Sequence, residues 1–463
     1  MSDIENLMAR ARAAQATFAN ATQAQTDLAV QAIAWSIYQP DRARELAELA
    51  VADTKIGNVA SKIVKNQRKT FGTLRDLLRV KSVGIIEESP DTGIIKYAKP
   101  VGIVGAVSPS TNPAATPINK AMFAIKGRNA IIIAASPAGY ITTEKTVDYM
   151  RAALEKIGAN PDLVQILPPP VSKETTQALM EAVDLVVVTG SQNNVRRAYS
   201  SGTPAIGVGA GNVPVIIDSS ADLDDAAQKI CASKCFDNAT SCSSENSVTI
   251  VGEVYASALQ ALQNVGGYLC DAQERQQIIG CLWENGKLNR NVIARDADVL
   301  AKAAGLGEKA QNAKFFMVED GLQAGVDFPL SGEKLSLVLT VYRADTLQDA
   351  LRHCQAILDF SGPGHSIGIH THTQGVPEMI AERVNVVRVL VNQAHTFGNG
   401  GSFDNGLNFT LTMGCGTWAG NSIAENLNWR NFINVTHLVR TIPQDKPSEE
   451  ALFGSYWQEF GKE

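Results

Sequence analysis

Between Pro100 and Asp218 short apolar runs alternate with segments of helical spacing, and that alternation confines the chain to few folds. The runs at 101–107, 130–135, 163–167, 185–188 and 213–217 are apolar throughout, as strands buried on both faces must be. Helical patterns separate them at 116–125, 142–156 and 173–182, with one more before 213. This order predicts a doubly wound, mostly parallel sheet. Beyond Ala221 the texture repeats, with a helix at 226–234, an irregular segment, a strand at 248–251, and further helix and strand to about residue 391. A second α/β domain is the expectation.

The first 80 residues read as helices, at 7–34 and 42–79, with the opening one taken as part of the folded domain. Two β-rich runs, 83–87 and 94–97, flank the turn Ser89-Pro90-Asp91-Thr92-Gly93 and predict a hairpin. A lone hairpin has little to pack on, so it leans on a neighbouring domain or subunit. A Gly/Asn-rich stretch at 392–408 precedes a polar C-terminal segment with one β-like run at 432–438. At 463 residues the chain exceeds one compact core.

Several classes are disfavoured. The net charge is −6, from 41 basic and 47 acidic residues, with no basic block, which argues against a nucleic-acid partner. No apolar run reaches transmembrane length, and the acidic start Met1-Ser2-Asp3-Ile4-Glu5 carries no secretory signal. Seven unevenly spaced cysteines suit a reducing cytoplasm better than a disulfide framework.

The segment with most chemistry is Phe236-Asp237-Asn238-Ala239-Thr240-Ser241-Cys242-Ser243-Ser244-Glu245. A cysteine in a small polar loop behind a helix is placed for reactivity if local dipoles favour the thiolate. Taken alone it reads equally as a small buried apolar residue. Other candidates are weaker. Cys231 and Cys235 stand four apart on a helix without a second ligand pair, so packing is favoured over metal, and no metal site is expected. Alternation puts His370 and His372 on one strand face, again without a convincing ligand set. Cys415, between glycines, reads as structural.

The spacing around Cys242 resembles the aldehyde dehydrogenase superfamily, and its CoA-acylating members more than its hydrolytic ones. Their pattern F-D-N-x-x-x-C-x-S-E falls on Phe236, Asp237, Asn238, Cys242, Ser244 and Glu245. Gly211-Asn212-Val213-Pro214 with Ala221-Asp222-Leu223-Asp224 is similar to the family's G-K-x-P and A-D-L-D. Pro100-Val101-Gly102-Ile103 and Ser108-Pro109-Ser110-Thr111-Asn112-Pro113 resemble P-x-G-V and P-W-N-x-P. Gly364-His365-Ser366 and Leu411-Thr412-Met413-Gly414-Cys415-Gly416-Thr417-Trp418-Ala419-Gly420-Asn421-Ser422 resemble acylating G-H-[ST] and L-T-x-G-C-G-S-W-G-G-N-S. The likeness spans roughly residues 10–440.

The resemblance implies an aldehyde dehydrogenase-like α/β fold, with two doubly wound domains and a small β oligomerisation arm. Residues 1–81 and 99–224 would bind the dinucleotide, 225–429 would carry the nucleophile, and 82–98 with 430–463 would join subunits into a homodimer or homotetramer. It makes Cys242 the nucleophile and Asn112, with the Cys242 N–H, the oxyanion holder. Ser108, Pro109, Ser110, Thr111, Ser136, Pro137, Thr189, Gly190, Ser191, Gly209, Ala210 and Glu333 would hold NADP or NAD. Hydrolytic members carry a base Glu where this chain has Val208. Valine accepts no proton, whereas a thiol acceptor needs far less help than water, so coenzyme A is the expected co-substrate. The whole sequence looks most like members acting on sulfoacetaldehyde, then succinate semialdehyde or acetaldehyde. Arg388 and Arg430 are candidate anion donors, or surface residues. Two rivals are a hydrolytic dehydrogenase using Glu245 or Glu333 as base, and a non-catalytic scaffold that kept the fold.

Overall fold

The structure is a computed structural model that describes residues 3–463. It opens with helices Asp3–Phe18, Gln23–Tyr38, Pro40–Thr54 and Val59–Leu78. The two long helical stretches expected there are each cut in two. Thr22 starts a new helix through a capping box with Gln25. Asn58 caps the fourth helix by accepting the Ser61 N–H, just after Lys55 ends the third in the left-handed region (φ 62).

The first α/β block forms a five-stranded sheet in the order Val164–Ile166, Ala130–Ala134, Ile103–Val107, Leu185–Thr189, Ala205–Val208. Every neighbouring pair is parallel. The strand order reverses between Ile103–Val107 and Leu185–Thr189. At such a switch point the loops leaving two adjacent strands diverge and open a crevice. Ala205–Val208 was not anticipated, because its four residues merge into a glycine-rich run that reads as a turn.

The second sheet has seven strands, in the order Gly267–Leu269, Phe315–Asp320, Val338–Ala344, Glu245–Val251, Val213–Ile217, Ile367–His370, Val389–Val391. It too is parallel throughout. Val213–Ile217 therefore corrects the expected boundary at 224. Apolarity identifies a buried strand but not the sheet it joins. Likewise, Leu427 and Trp429, assigned to the second block, pack in the core of the first.

The hairpin pairs Gly84–Ser89 with Ile94–Pro100, and Ile433–Val439 adds antiparallel on the far side of Ile94–Pro100. The tail, read from its sequence as polar, holds the helix Glu449–Phe460, capped by Ser448. That helix leaves Leu452, Phe453, Tyr456 and Phe460 exposed. Among the described residues no helix is long and apolar enough to cross a membrane.

Candidate active site

Two sheet edges meet because the chain passes between them in four residues. Gly209-Ala210-Gly211-Asn212 leaves the C-terminal end of Ala205–Val208 and enters the N-terminal end of Val213–Ile217. The C-terminal edge of the first sheet thus faces the N-terminal edge of the second. The first edge carries Ser108, Pro109, Ser110, Thr111 and Asn112, then Ser136 and Pro137, Thr189, Gly190 and Ser191, and Gly209 and Ala210. The second carries Cys242, Glu333, His365 and Arg388, each shortly before a strand.

The loop before Cys242 has an unusual backbone. Asp237, Asn238 and Ala239 are all left-handed, with φ of 52°, 53° and 59°. Asp and Asn tolerate that region best among residues with a side chain, which is a physical reason for the Asp-Asn pair. The strain persists because the loop is pinned. The fully buried Asp237 carboxylate pairs with Lys62 Nζ at 3.2 Å and with Lys65 Nζ. It also accepts from the Thr240 hydroxyl at 2.7 Å and the Asn58 N–H at 3.0 Å. Asn238 donates to Asp296 Oδ1 at 2.8 Å. Burial alone pushes the Asp237 carboxyl up, but Lys65 and Lys62 outweigh it and hold it below the usual carboxylate range.

Lys65 also donates to Asn112 Oδ1 at 2.9 Å and to Thr240 Oγ1 at 3.0 Å. One ammonium therefore ties the proposed oxyanion residue to the nucleophile loop. With Oδ1 held, the Asn112 Nδ2 is the free end of that amide, its one side-chain contact being a long 3.4 Å to the neighbouring Thr111 hydroxyl. Sequence reasoning missed Lys62 and Lys65. Their signal was the cationic face of Val59–Leu78, where Lys62, Lys65, Arg68 and Lys69 recur at helical spacing.

Cys242 is partly exposed, between Ser241 and Ser243, which line a cleft with Lys65, Asn112, Phe236 and Met413. Burial first, then the nearby Glu333 charge, push its thiol up to about 12. Glu333 is itself pushed up to about 7 by burial, although the Gly211 N–H donates to its carboxylate. A methyl built on Gly211 would lie 2.8 Å from His365 Nε2 and 2.9 Å from Cys242 Cβ, so only glycine lets imidazole and cysteine approach here. His365 is fully buried, and Nδ1 is engaged with the Ser366 hydroxyl at 2.8 Å. Nε2 has no partner. Burial, then the charge of Arg388, hold this imidazole well below its usual range, so it is neutral and takes up a proton only against that cost. Glu245 points elsewhere: its carboxylate accepts from the Ser233 hydroxyl at 2.5 Å and the His395 N–H at 3.2 Å.

On the facing edge, Ser108 Oγ is buried without a partner. Ser191 caps the helix Gln192–Tyr199, and Ser136 precedes the turn Pro137–Gly139. Thr189 Oγ1 meets Thr412 Oγ1 at 2.6 Å. An orphan hydroxyl beside a helix N-terminus at the switch point suits a pyrophosphate, so these residues fit a dinucleotide.

Arg388 and the His370–His372 pair depart from expectation, while Arg430 takes the surface place that was its alternative. Arg388 donates inward, to Gly414 O at 2.8 Å, His365 O at 3.0 Å and Asn426 Oδ1 at 3.0 Å, and it braces the loops. Arg430 lies exposed over the Trp429 ring at 5.4 Å. His372 lies beyond the end of Ile367–His370, so it shares no strand face with His370. Cys231 and Cys235 lie with their sulfurs 4.0 Å apart, Cys231 against Val265 O and Cys235 against Lys314 O.

A family model described as the aldehyde dehydrogenase family matches residues 1–404. The chain belongs to that family. This aldehyde dehydrogenase is 49% identical over 458 residues to a sulfoacetaldehyde dehydrogenase (acylating) of Cupriavidus necator, covering 98% of this chain and 92% of the relative. It is 43% identical to another of that name from Bilophila wadsworthia, over 100% of both chains. Its fold matches an acetylating aldehyde dehydrogenase of Geobacillus thermoglucosidasius with a TM-score of 0.92 at 32% identity, covering 96% of this chain and 98% of that one. In this aldehyde dehydrogenase Val208 closes the strand Ala205–Val208 and is 1% exposed.

Proposed function

We propose that the chain is an acylating dehydrogenase that converts sulfoacetaldehyde, CoA and NADP to sulfoacetyl-CoA and NADPH. The observation that carries it is that His365 Nε2 and Cys242 Cβ both close on Gly211, with the apolar Val208 at the position that the resemblance assigns to a hydrolytic base. The two sulfoacetaldehyde relatives support the substrate. For NADP, the turn 135–139 after Ala130–Ala134 carries no carboxylate, the group that would hold the ribose of NAD and repel a 2′-phosphate.

His365 takes the Cys242 proton and the thiolate attacks the carbonyl carbon. The Asn112 amide and the Cys242 N–H hold the oxyanion, each worth typically about 100- to 1,000-fold. The bound nicotinamide supplies the hydride acceptor, and Ser108–Thr111, Gly190, Ser191 and Glu333 hold that cofactor. His365 passes that proton to solvent, and the Cys242 thioester is then attacked by a second thiol, whose proton goes to His365 and returns to the Cys242 sulfur as the acyl group leaves it. Replacing His365 by Asn is expected to slow both thioester formation and acyl transfer about 100-fold or more, read in stopped-flow and steady-state absorbance.

The arm 84–100 with 433–439, and the exposed apolar side chains of Glu449–Phe460, support a homo-oligomer. A chain whose seven cysteines are all free suits a reducing cytoplasm.

A hydrolytic reading keeps one point in its favour. Glu333 lies within electrostatic reach of Cys242 and is poised near 7. The same assay separates the two. Reduced-nicotinamide formation is followed with sulfoacetaldehyde, succinate semialdehyde or acetaldehyde, with NADP or NAD, with and without CoA. Sustained turnover only with CoA, fastest with sulfoacetaldehyde and NADP, is the expected result. Equal turnover without CoA would make water the acceptor and Glu333 its base.

A further inference from the structure

The cationic face of Val59–Leu78 holds more charge than the nucleophile loop uses. Lys62 and Lys65 share Asp237. One turn further on, Arg68 and Lys69 have no carboxylate within ion-pair distance among the described residues. Lys69 Nζ donates to the Gly400 carbonyl at 2.7 Å. Arg68 Nη2 donates to Ser402 Oγ at 2.7 Å, and its guanidinium stacks on Phe403 with 5.0 Å to the ring centre. Its Nε is buried without a partner. So is the hydroxyl of Thr396, at the start of the short helix His395–Gly398. Arg68, Lys69 and Thr396 all line the cleft that Asn112, Ser241 and Ser243 also line. An ammonium, a guanidinium and a hydroxyl with spare donors thus converge beside the nucleophile. The Asp404 charge acts on Arg68, whereas burial and the neighbouring Arg68 and Lys65 charges lower Lys69 to about 7, so an anion in the cleft stabilises the charged form of Lys69.

We propose that Arg68, Lys69 and Thr396 seat the anionic end of the aldehyde, in place of Arg388 and Arg430. This rests on the reading of the substrate as a short sulfonated aldehyde. Lys65 touches Asn112, and Lys69 stands one helical turn, about 5.4 Å, along the same face. That offset suits a two-carbon substrate whose carbonyl sits at Asn112 and whose sulfonate oxygens reach the three donors. Charge-assisted bonds to a planar guanidinium favour a tetrahedral, three-oxygen anion over a neutral chain end.

The test uses ethanesulfonate, which has the anion but no carbonyl. In the wild-type protein it is expected to slow alkylation of Cys242 by iodoacetamide and to inhibit turnover competitively with aldehyde. Propanol at equal concentration has neither effect. In Lys69→Met and Arg68→Met the ethanesulfonate needed for half-protection rises about tenfold or more. The fall in kcat/KM is at least about tenfold greater for sulfoacetaldehyde than for propanal. The proposal is overturned if ethanesulfonate leaves wild-type Cys242 unprotected. It is equally overturned if the variants lose both aldehydes alike, or raise KM for CoA instead, which would assign the cations to a CoA phosphate. Should either variant fail to fold, wild-type protection still decides. Protection without oxidation of sulfoacetaldehyde would uphold the anion seat and overturn the substrate reading.

Discussion

Mixed with excess NADP and sulfoacetaldehyde but no CoA, the protein is expected to release one equivalent of reduced nicotinamide per active site and then stall. Cys242→Ala is expected to release none, with turnover at least about 10,000-fold below wild type, as for other removed nucleophiles. The stall follows from Val208. At Val208 a thioester on Cys242 finds no carboxylate to activate water, while a thiol ionises far more readily than water, so the first half-reaction runs and the second waits for a thiol. The same site predicts slow chemistry in the free protein. With its thiol pushed up to about 12, Cys242 holds little thiolate at neutral pH. Only the thiolate is alkylated, so labelling by iodoacetamide should rise about tenfold per pH unit between 7 and 9. Mass spectrometry of the labelled peptide measures both this slope and its loss in Cys242→Ala.

Asp237→Asn is expected to destabilise the protein by about 3–5 kcal/mol, because it leaves Lys62 and Lys65 buried together with no counter-charge. In a chain of this size that lowers the thermal midpoint by roughly 3–5 °C in calorimetry. A second change, Lys62→Met, removes one of the two stranded charges, so Asp237→Asn/Lys62→Met should recover about half of the loss. Activity should fall with stability, since Lys65 also supports Asn112 and Thr240. The pH dependence has a definite sign. The Asp237 carboxyl is held below its unfolded value, so its contribution is complete above the ordinary carboxylate range. It is lost only as the pH falls through the depressed folded value. Stability near neutral pH should therefore not vary on account of this group.

The parallel sheets were legible because buried strands are apolar throughout, as at Ile103–Val107 and Ala130–Ala134. Their membership was not. Val213–Ile217 has the same texture as its predecessors yet pairs with Glu245–Val251, a decision made by the short connector and not by the strand. Ala205–Val208 was hidden by its glycine. At the site, the segments of Cys242 and Asn112 were singled out by their resemblance to family motifs, and the fold brings those segments together through Lys65. Lys65, Lys69 and Arg68 escaped because their meaning depends on contacts nearly two hundred or more positions away, as in Lys65 to Asp237 and Arg68 to Ser402. Arg388 was chosen for its charge, but a buried guanidinium surrounded by carbonyls is a brace.

The antiparallel arm sets a timetable for synthesis. Ile94–Pro100 gains Gly84–Ser89 as soon as both leave the ribosome, but its other edge pairs with Ile433–Val439, more than 300 residues further along. At typical translation speeds that edge stays open for on the order of tens of seconds. The first domain waits as well, since Phe432 stacks on Phe123 and Asn129 donates to the Phe432 carbonyl. A nascent chain stopped before residue 432 would therefore carry an unfinished core and a bare strand edge, both apt to recruit chaperones or other chains.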